Sequence, residues 1–211
     1  MKRRFFISAL SFLIAYDSLA GPPIELDESG TDNWSYAFST AFYLVRNDRE
    51  YLNPTFTADR NWLHLEARYN YEALKTGSLW LGYNFSVGEK LTLEATPMVG
   101  GVFGDITGFA PGYTLSLTYW KLELFTQGEY FIDAAHSEGN FFYTWSELSL
   151  APVDWFRFGI VVDRTKAFGS ELDIRRGPLI GVKYKNIDFT TYWLDPGSRN
   201  AAFVFALTLN F

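Results

Sequence analysis

The chain contains no cysteine. Disulfide staples, thiolate metal sites and thiol nucleophiles are therefore excluded. Histidine is scarce too: only His64 and His136 are present, and two distant imidazoles do not make a zinc site. After Tyr16 no apolar run approaches the roughly 20 residues of a membrane-spanning helix, and no stretch shows a helical period. No phosphate-binding glycine motif is present; Gly100 and Gly101 sit in a strand-like run, where glycine eases curvature or packing. Positive charge is in deficit, with 18 Lys and Arg against 24 Asp and Glu, which disfavours nucleic acid as a partner. No residue pattern calls for a cofactor.

What is present begins with an export signal. Lys2-Arg3-Arg4 forms a basic start, Phe5–Tyr16 an apolar core, and Ser18-Leu19-Ala20 a small-x-small cleavage site before Gly21. Residues 1–20 read as a secretory signal peptide. They hold Lys2, Arg3, Arg4 and Asp17, so their removal takes the net charge from −6 to −8. Residues 21–32 are polar and turn-rich and read as a periplasmic lead-in. Residues 33–211 read as one all-β domain.

In that domain side chains alternate with period two, the signature of strands with two unlike faces. Twelve segments follow: 34–45, 51–58, 62–72, 79–87, 90–103, 112–119, 121–132, 141–150, 155–163, 173–185, 187–194 and 201–211. Most are about ten residues long, as a tilted membrane strand requires. The second is the weakest, because Pro54 cannot donate to a ladder; merging it gives a ten-strand alternative. Twelve strands put tight turns at one end, near residues 59–61, 88–89, 119–121, 151–154 and 185–186. The longer loops 46–50, 73–77, 104–111, 133–140, 164–172 and 195–200 then lie at the other end. Short periplasmic turns and long external loops are the rule for bacterial barrels.

The more apolar phase of strands three to twelve carries no charge. It runs from Leu63, Leu65, Ala67, Tyr69 and Tyr71 through Leu79–Val87, Leu91–Val99 and Leu148 to Ile160, Ile180 and Phe189. Arg or Lys at mid-bilayer on a barrel's lipid face costs about 2–4 kcal/mol. Arg176 obeys the rule only if it stands above the membrane rim. Aromatics are 19% of the chain and fall into two belts: Tyr119, Trp155, Tyr184 and Phe211 at one end, Tyr130, Phe142 and Trp193 at the other. Interfacial girdles have this form. A soluble sandwich or lipocalin-like barrel would bury its apolar phase instead.

The last strand, Phe203–Phe211, alternates strictly and ends on an aromatic. It resembles the C-terminal signal by which bacterial outer-membrane β-barrels are recognised, which implies the barrel-assembly machinery as a partner, outer-membrane lipid as surroundings and a Gram-negative cell. The whole pattern resembles small twelve-stranded channels such as nucleoside-specific channels and oligosaccharide-specific porins. That resemblance implies a transmembrane antiparallel up-and-down barrel passing small solutes. Oligosaccharide porins have basic bores, whereas the lining expected here is more acidic than basic, so neutral or cationic solutes are expected.

The opposite phase is expected to line the interior. Its candidate pore-lining residues are Glu66, Arg68, Glu72, Glu94, Glu123, Glu129, Glu147, Arg157, Asp163, Arg175 and Lys183, with Glu66, Glu94, Glu123 and Glu147 at mid-barrel. Trp80, Trp120, Phe125, Phe131, Tyr143, Trp145 and Tyr192 also fall in this phase and can narrow or plug the bore. Such an interior reads either as a water-filled channel with selecting charges or as a closed lumen braced by ion pairs; twelve strands lie between filled and open barrels. An outer-membrane lipid or peptide hydrolase is the remaining alternative. Outer-membrane phospholipases resemble the chain in strand number, but their His/Ser pair faces lipid, and this apolar phase has no His. Outer-membrane aspartyl-type proteases set acids and a His on the upper rim; Asp163 and Asp173 flank a loop without one. His136-Ser137-Glu138 sits in a loop that cannot hold triad geometry, and His64 reads as an interior hydrogen-bonding residue. No catalytic residue is assigned.

Overall fold

A computed structural model describes residues 33–46 and 49–211. The signal peptide and lead-in, residues 1–32, lie outside the described residues, as do Asn47 and Asp48 in the first loop. Period-two alternation becomes thirteen strands: β1 (Ser35–Val45), β2 (Tyr51–Arg60), β3 (Leu63–Tyr69), β4 (Thr76–Tyr83), β5 (Phe85–Val87), β6 (Leu91–Gly104), β7 (Gly108–Tyr119), β8 (Leu122–Asp133), β9 (Phe141–Val153), β10 (Phe156–Ala167), β11 (Asp173–Tyr184), β12 (Ile187–Leu194) and β13 (Ala202–Asn210). Among the described residues one 3-10 turn, Ser137–Gly139, lies between β8 and β9.

Apart from β4 and β5, which do not pair, each strand pairs antiparallel with its sequence neighbours; β4 pairs with β6, and β1 pairs with β13 from Ala37 opposite Asn210 to Val45 opposite Ala202. Reciprocal bonds of 2.9 Å between Tyr36 and Phe211 extend this seam. The result is a closed ring of twelve strands, which settles the choice against ten. β5 stands outside the ring and pairs with β6 alone. Phe85 opposite Ala95 continues the register set by Gly82 opposite Met98.

Two-residue turns join β2 to β3, β7 to β8, β9 to β10 and β11 to β12. Asn61, Trp120 and Lys185 take positive φ there, the backbone twist that primed hairpin turns require. The opposite end carries the longer loops with one exception. β7 begins at Gly108 rather than near Gly112, so the loop expected over 104–111 shrinks to 105–107. Val102 pairs with Gly108 and Val99 with Pro111 on the β6 side. On the β8 side the ladder skips Ala110 and Pro111, where proline has no N–H to give. Pro54 is accommodated in a similar way: it pairs with Thr40 of β1, while the β2–β3 ladder stops at Thr55.

Two outward or inward assignments fail. Tyr71, expected outside, is only 2% exposed. Asn70 has φ 57°, its amide donates to the Leu52 carbonyl at 2.9 Å and its side-chain oxygen accepts from Lys75 N–H at 2.8 Å. This turn ends β3 at Tyr69 and breaks the alternation. Trp120, expected inside, is 77% exposed because it occupies a two-residue turn.

At mid-strand the outward phase is apolar and exposed at Leu79, Leu81, Val99, Leu148, Ile160 and Ile180. An apolar surface of this extent is stable only against something other than water. Leu148 lies mid-strand between Leu124 and Ile160. Leu148→Arg is expected to cost about 2–4 kcal/mol in reversible denaturant unfolding from lipid vesicles, and Tyr119→Arg at a strand end about 0–1 kcal/mol; equal costs would contradict the outward phase as a lipid face.

Candidate functional site

The interior holds an apolar core of Tyr43, Tyr143, Trp145, Val161, Leu179, Tyr192 and Leu194 with Tyr71, all buried. Charged groups are interleaved with this core and meet across the lumen: Glu129 is opposite Tyr143 and Glu147 is opposite Val161.

Arg68 is the centre of the first polar cluster. It projects from β3 on the same face as Glu66, whose carboxylate accepts from its Nε. Its Nη1 donates to Glu129 Oε2 at 3.0 Å. Glu129 is on β8, four places from β3 along the ring, so this bond is a chord through the lumen and not a neighbour contact. The guanidinium is also held between two rings, 3.8 Å from the Tyr71 centroid and 4.2 Å from that of Trp80, in cation–π geometry. Trp80 can lie flat here because its neighbours are glycine: a Cβ on Gly100 would overlap its ring, and one on Gly112 would come within 2.8 Å of Cζ3. Glu66, Arg68 and Glu129 are 3%, 5% and 4% exposed.

The network extends toward the turns. His64 is fully buried, with Nε2 3.1 Å from Glu66 Oε2 and Nδ1 2.7 Å from Asp59 Oδ1. The same Asp59 oxygen accepts from Asn84 Nδ2 at 2.7 Å, and Asn84 Oδ1 accepts from Thr96 Oγ1 at 2.6 Å. Asn84, the residue between β4 and β5, thus ties the β2 acid to β6.

A second cluster gathers around Glu147 of β9. Its Oε1 accepts from Trp145 Nε1 at 2.7 Å and from Tyr192 O–H at 2.9 Å, and its Oε2 accepts from Arg157 Nη1 at 3.0 Å. Arg157 Nη2 also donates to Thr190 Oγ1 at 2.8 Å and lies 3.9 Å from Asp188. Tyr192 is on β12, so this cluster too spans several strands. A further ion pair, Arg175 to Asp163 at 2.8 and 3.0 Å, joins directly opposed residues of β11 and β10.

The expected lining residues therefore separate. Glu66, Arg68, Glu72, Glu129, Glu147 and Asp163 are buried, and Arg157 and Arg175 are mostly covered. Glu94 is exposed, and Glu123 and Lys183 are half-buried; Ser116 donates to Glu123 at 3.0 Å. Glu94, Glu123 and Lys183 lie within a few residues of the short turns and are less covered than the other charged groups of this phase. The four acids expected at mid-barrel thus differ in burial. At the other end Ser137 belongs to the 3-10 turn and His136 to its cap, while the Asp133 carboxylate accepts from the backbone N–H groups of Ala135 and His136. A cavity of about 430 Å³ lies on the outer rim, bordered by Leu44, Arg46, Glu50, Trp193 and Phe203.

No protein-family model matches the chain, and no curated protein matches it. Solved structures do. The chain is similar to a KdgM porin, with TM-score 0.59 and 9% identity over 83% of this chain and 99% of that one. It is equally similar to a KdgM porin in complex with disordered oligogalacturonate, with TM-score 0.59 and 8% identity over the same shares. At this identity the likeness shows the fold, that of a small porin-type barrel.

Arg68→Ala would leave Glu66 and Glu129 without their guanidinium partner, and is expected to cost about 3–5 kcal/mol in unfolding free energy. Adding Glu66→Gln and Glu129→Gln to Arg68→Met should recover much of that loss. A cost below about 1 kcal/mol would mean that water reaches these carboxylates freely.

Proposed function

We propose that this protein is an outer-membrane channel of the small-porin type that rests closed and passes small neutral or cationic solutes when its side-chain chords part. The observation that carries the reading is the Arg68–Glu129 bond between strands four places apart, together with the near-complete burial of both groups. The 6.4 Å edge contact of Tyr71 with Tyr143 of β9 supports it on the loop side. A static bore of hydrated width would leave those side chains wet.

The charges themselves favour a channel over a filler. Burying ion pairs carries a desolvation cost that apolar packing avoids, and replacing them with apolar groups is often neutral or stabilising. Part of the lumen is packed in that apolar way, around Tyr43, Tyr143 and Leu179. The less covered Glu94 and Glu123 near the short turns suit contact with solutes. Two carboxylates there favour cations, and Arg157 already has Glu147. The anionic oligogalacturonate named for the KdgM complex is for this reason not carried over.

Planar-bilayer recording tests the proposal. The wild-type protein is expected to be silent for most of the record, with brief cation-preferring openings. Tyr71→Ala with Tyr143→Ala should lengthen the openings, and Glu123→Gln in that background should weaken the cation preference. Steady wild-type conductance would contradict the closed rest state. Silence of wild type and variant alike would favour the second reading, a plugged structural barrel, which the continuous aromatic core supports.

A further inference from the structure

Three cations break the apolar exterior at one place. Arg164 and Lys166 continue the outward phase of β10 beyond Ile160 and Val162, and Arg176 continues that of β11 beyond Ile180 and Pro178. The register sets them side by side. Arg176 is opposite Val162, Arg164 is opposite Ile174 on one side and Thr144 on the other, and Lys166 is opposite Phe142. All three are exposed. Among the described residues no carboxylate forms an ion pair with any of them. The nearby acids are otherwise engaged or face elsewhere: Asp195 accepts the backbone N–H of Arg176 at 3.1 Å, Asp163 points inward to Arg175, and Asp173 is opposite inward-facing Thr165.

Their level along the barrel is fixed by the aromatics. Lys166 stands beside Phe142, and Phe142 is opposite Tyr130, two members of the loop-side aromatic girdle. Such girdles mark the headgroup region of a bilayer. Below the cations the same strands present Ile160, Val162, Pro178 and Ile180. A ligand matching this surface is negatively charged at the girdle and apolar beneath it. In a chain of net charge −6, a group of three outward cations without an acidic partner is not the average surface repeating itself.

We infer that Arg164, Lys166 and Arg176 form a docking site for a phosphate-bearing lipid of the outer leaflet. Guanidinium groups bind phosphate oxygens in bidentate fashion and lysine supplies a compact charge, while the acyl chains lie on the apolar residues below. The inference rests on the barrel lying in a bilayer, as proposed above, so insertion is scored separately by co-flotation with vesicles.

The test uses the full barrel in neutral phosphatidylcholine nanodiscs, with diphosphoryl lipid A added as the probe and binding read by native mass spectrometry and thermal midpoint. Wild-type protein should bind the probe and shift upward in midpoint. The variant Arg164→Gln/Lys166→Gln/Arg176→Gln should keep the same midpoint in neutral lipid and bind on the order of a hundredfold more weakly, at about 1 kcal/mol for each basic residue near an anionic surface. Lipid A stripped of its phosphates should bind wild type no better than it binds the variant. Equal binding of the phosphorylated probe by wild type and variant overturns the site, as does failure of the inserted wild type to bind it. The same shift produced by inorganic phosphate alone overturns the assignment to a lipid.

Discussion

Backbone hydrogen bonding is the constraint on which the rest of this structure depends. A peptide group facing hydrocarbon has no water to bond, and each unmet donor or acceptor there costs several kcal/mol. Strands meet that demand only if no edge remains. The β1–β13 seam removes the edge, and the Tyr36–Phe211 bonds carry the pairing to the end of both strands. Once the ring is closed, the period of two sends alternate side chains to surroundings that differ completely. The apolar mid-strand outward phase and the charged inward phase are both consequences.

Closure also fixes how much space the inward side chains must share. In this barrel they meet. Arg68 reaches Glu129, Tyr192 reaches Glu147, and Tyr71 touches Tyr143. The aromatic core resembles that of a soluble protein turned inside a ring. The charges of the two polar clusters beside it are held by several partners at once: Glu66 holds both His64 and Arg68, and Glu147 collects three donors. Buried charge of this kind is tolerable only when so connected. That requirement relaxes at Glu94, which is exposed near the short turns.

Much of the ring was legible in the sequence because period two is a local signal. The strands from Leu63 onward, their tight turns and the apolar mid-strand face need no long-range information. Tyr71 was misplaced because Asn70 leaves the β region, and nothing in an alternating run announces a positive φ except the Asn itself. Trp120 was misplaced because it belongs to a turn of two residues. Inward placement of Arg68, Trp80 and Glu129 was readable, but their meeting was not. It depends on strand stagger and on which residues stand level across the ring. The glycines at 100 and 112, both on the inward phase of their strands, were the one available hint that a large inward ring had to be accommodated nearby.

The central claim is that the lumen is sealed beyond its short-turn end. The absence of cysteine makes this directly measurable with single cysteines placed in the native chain. Labelling rates with a small membrane-impermeant thiol reagent, applied at the short-turn side of the inserted barrel, report water access position by position. The account predicts rapid labelling of Glu94→Cys and Lys183→Cys, and labelling slower by orders of magnitude at Ser78→Cys and Val161→Cys. Comparable rates at all four positions would contradict it.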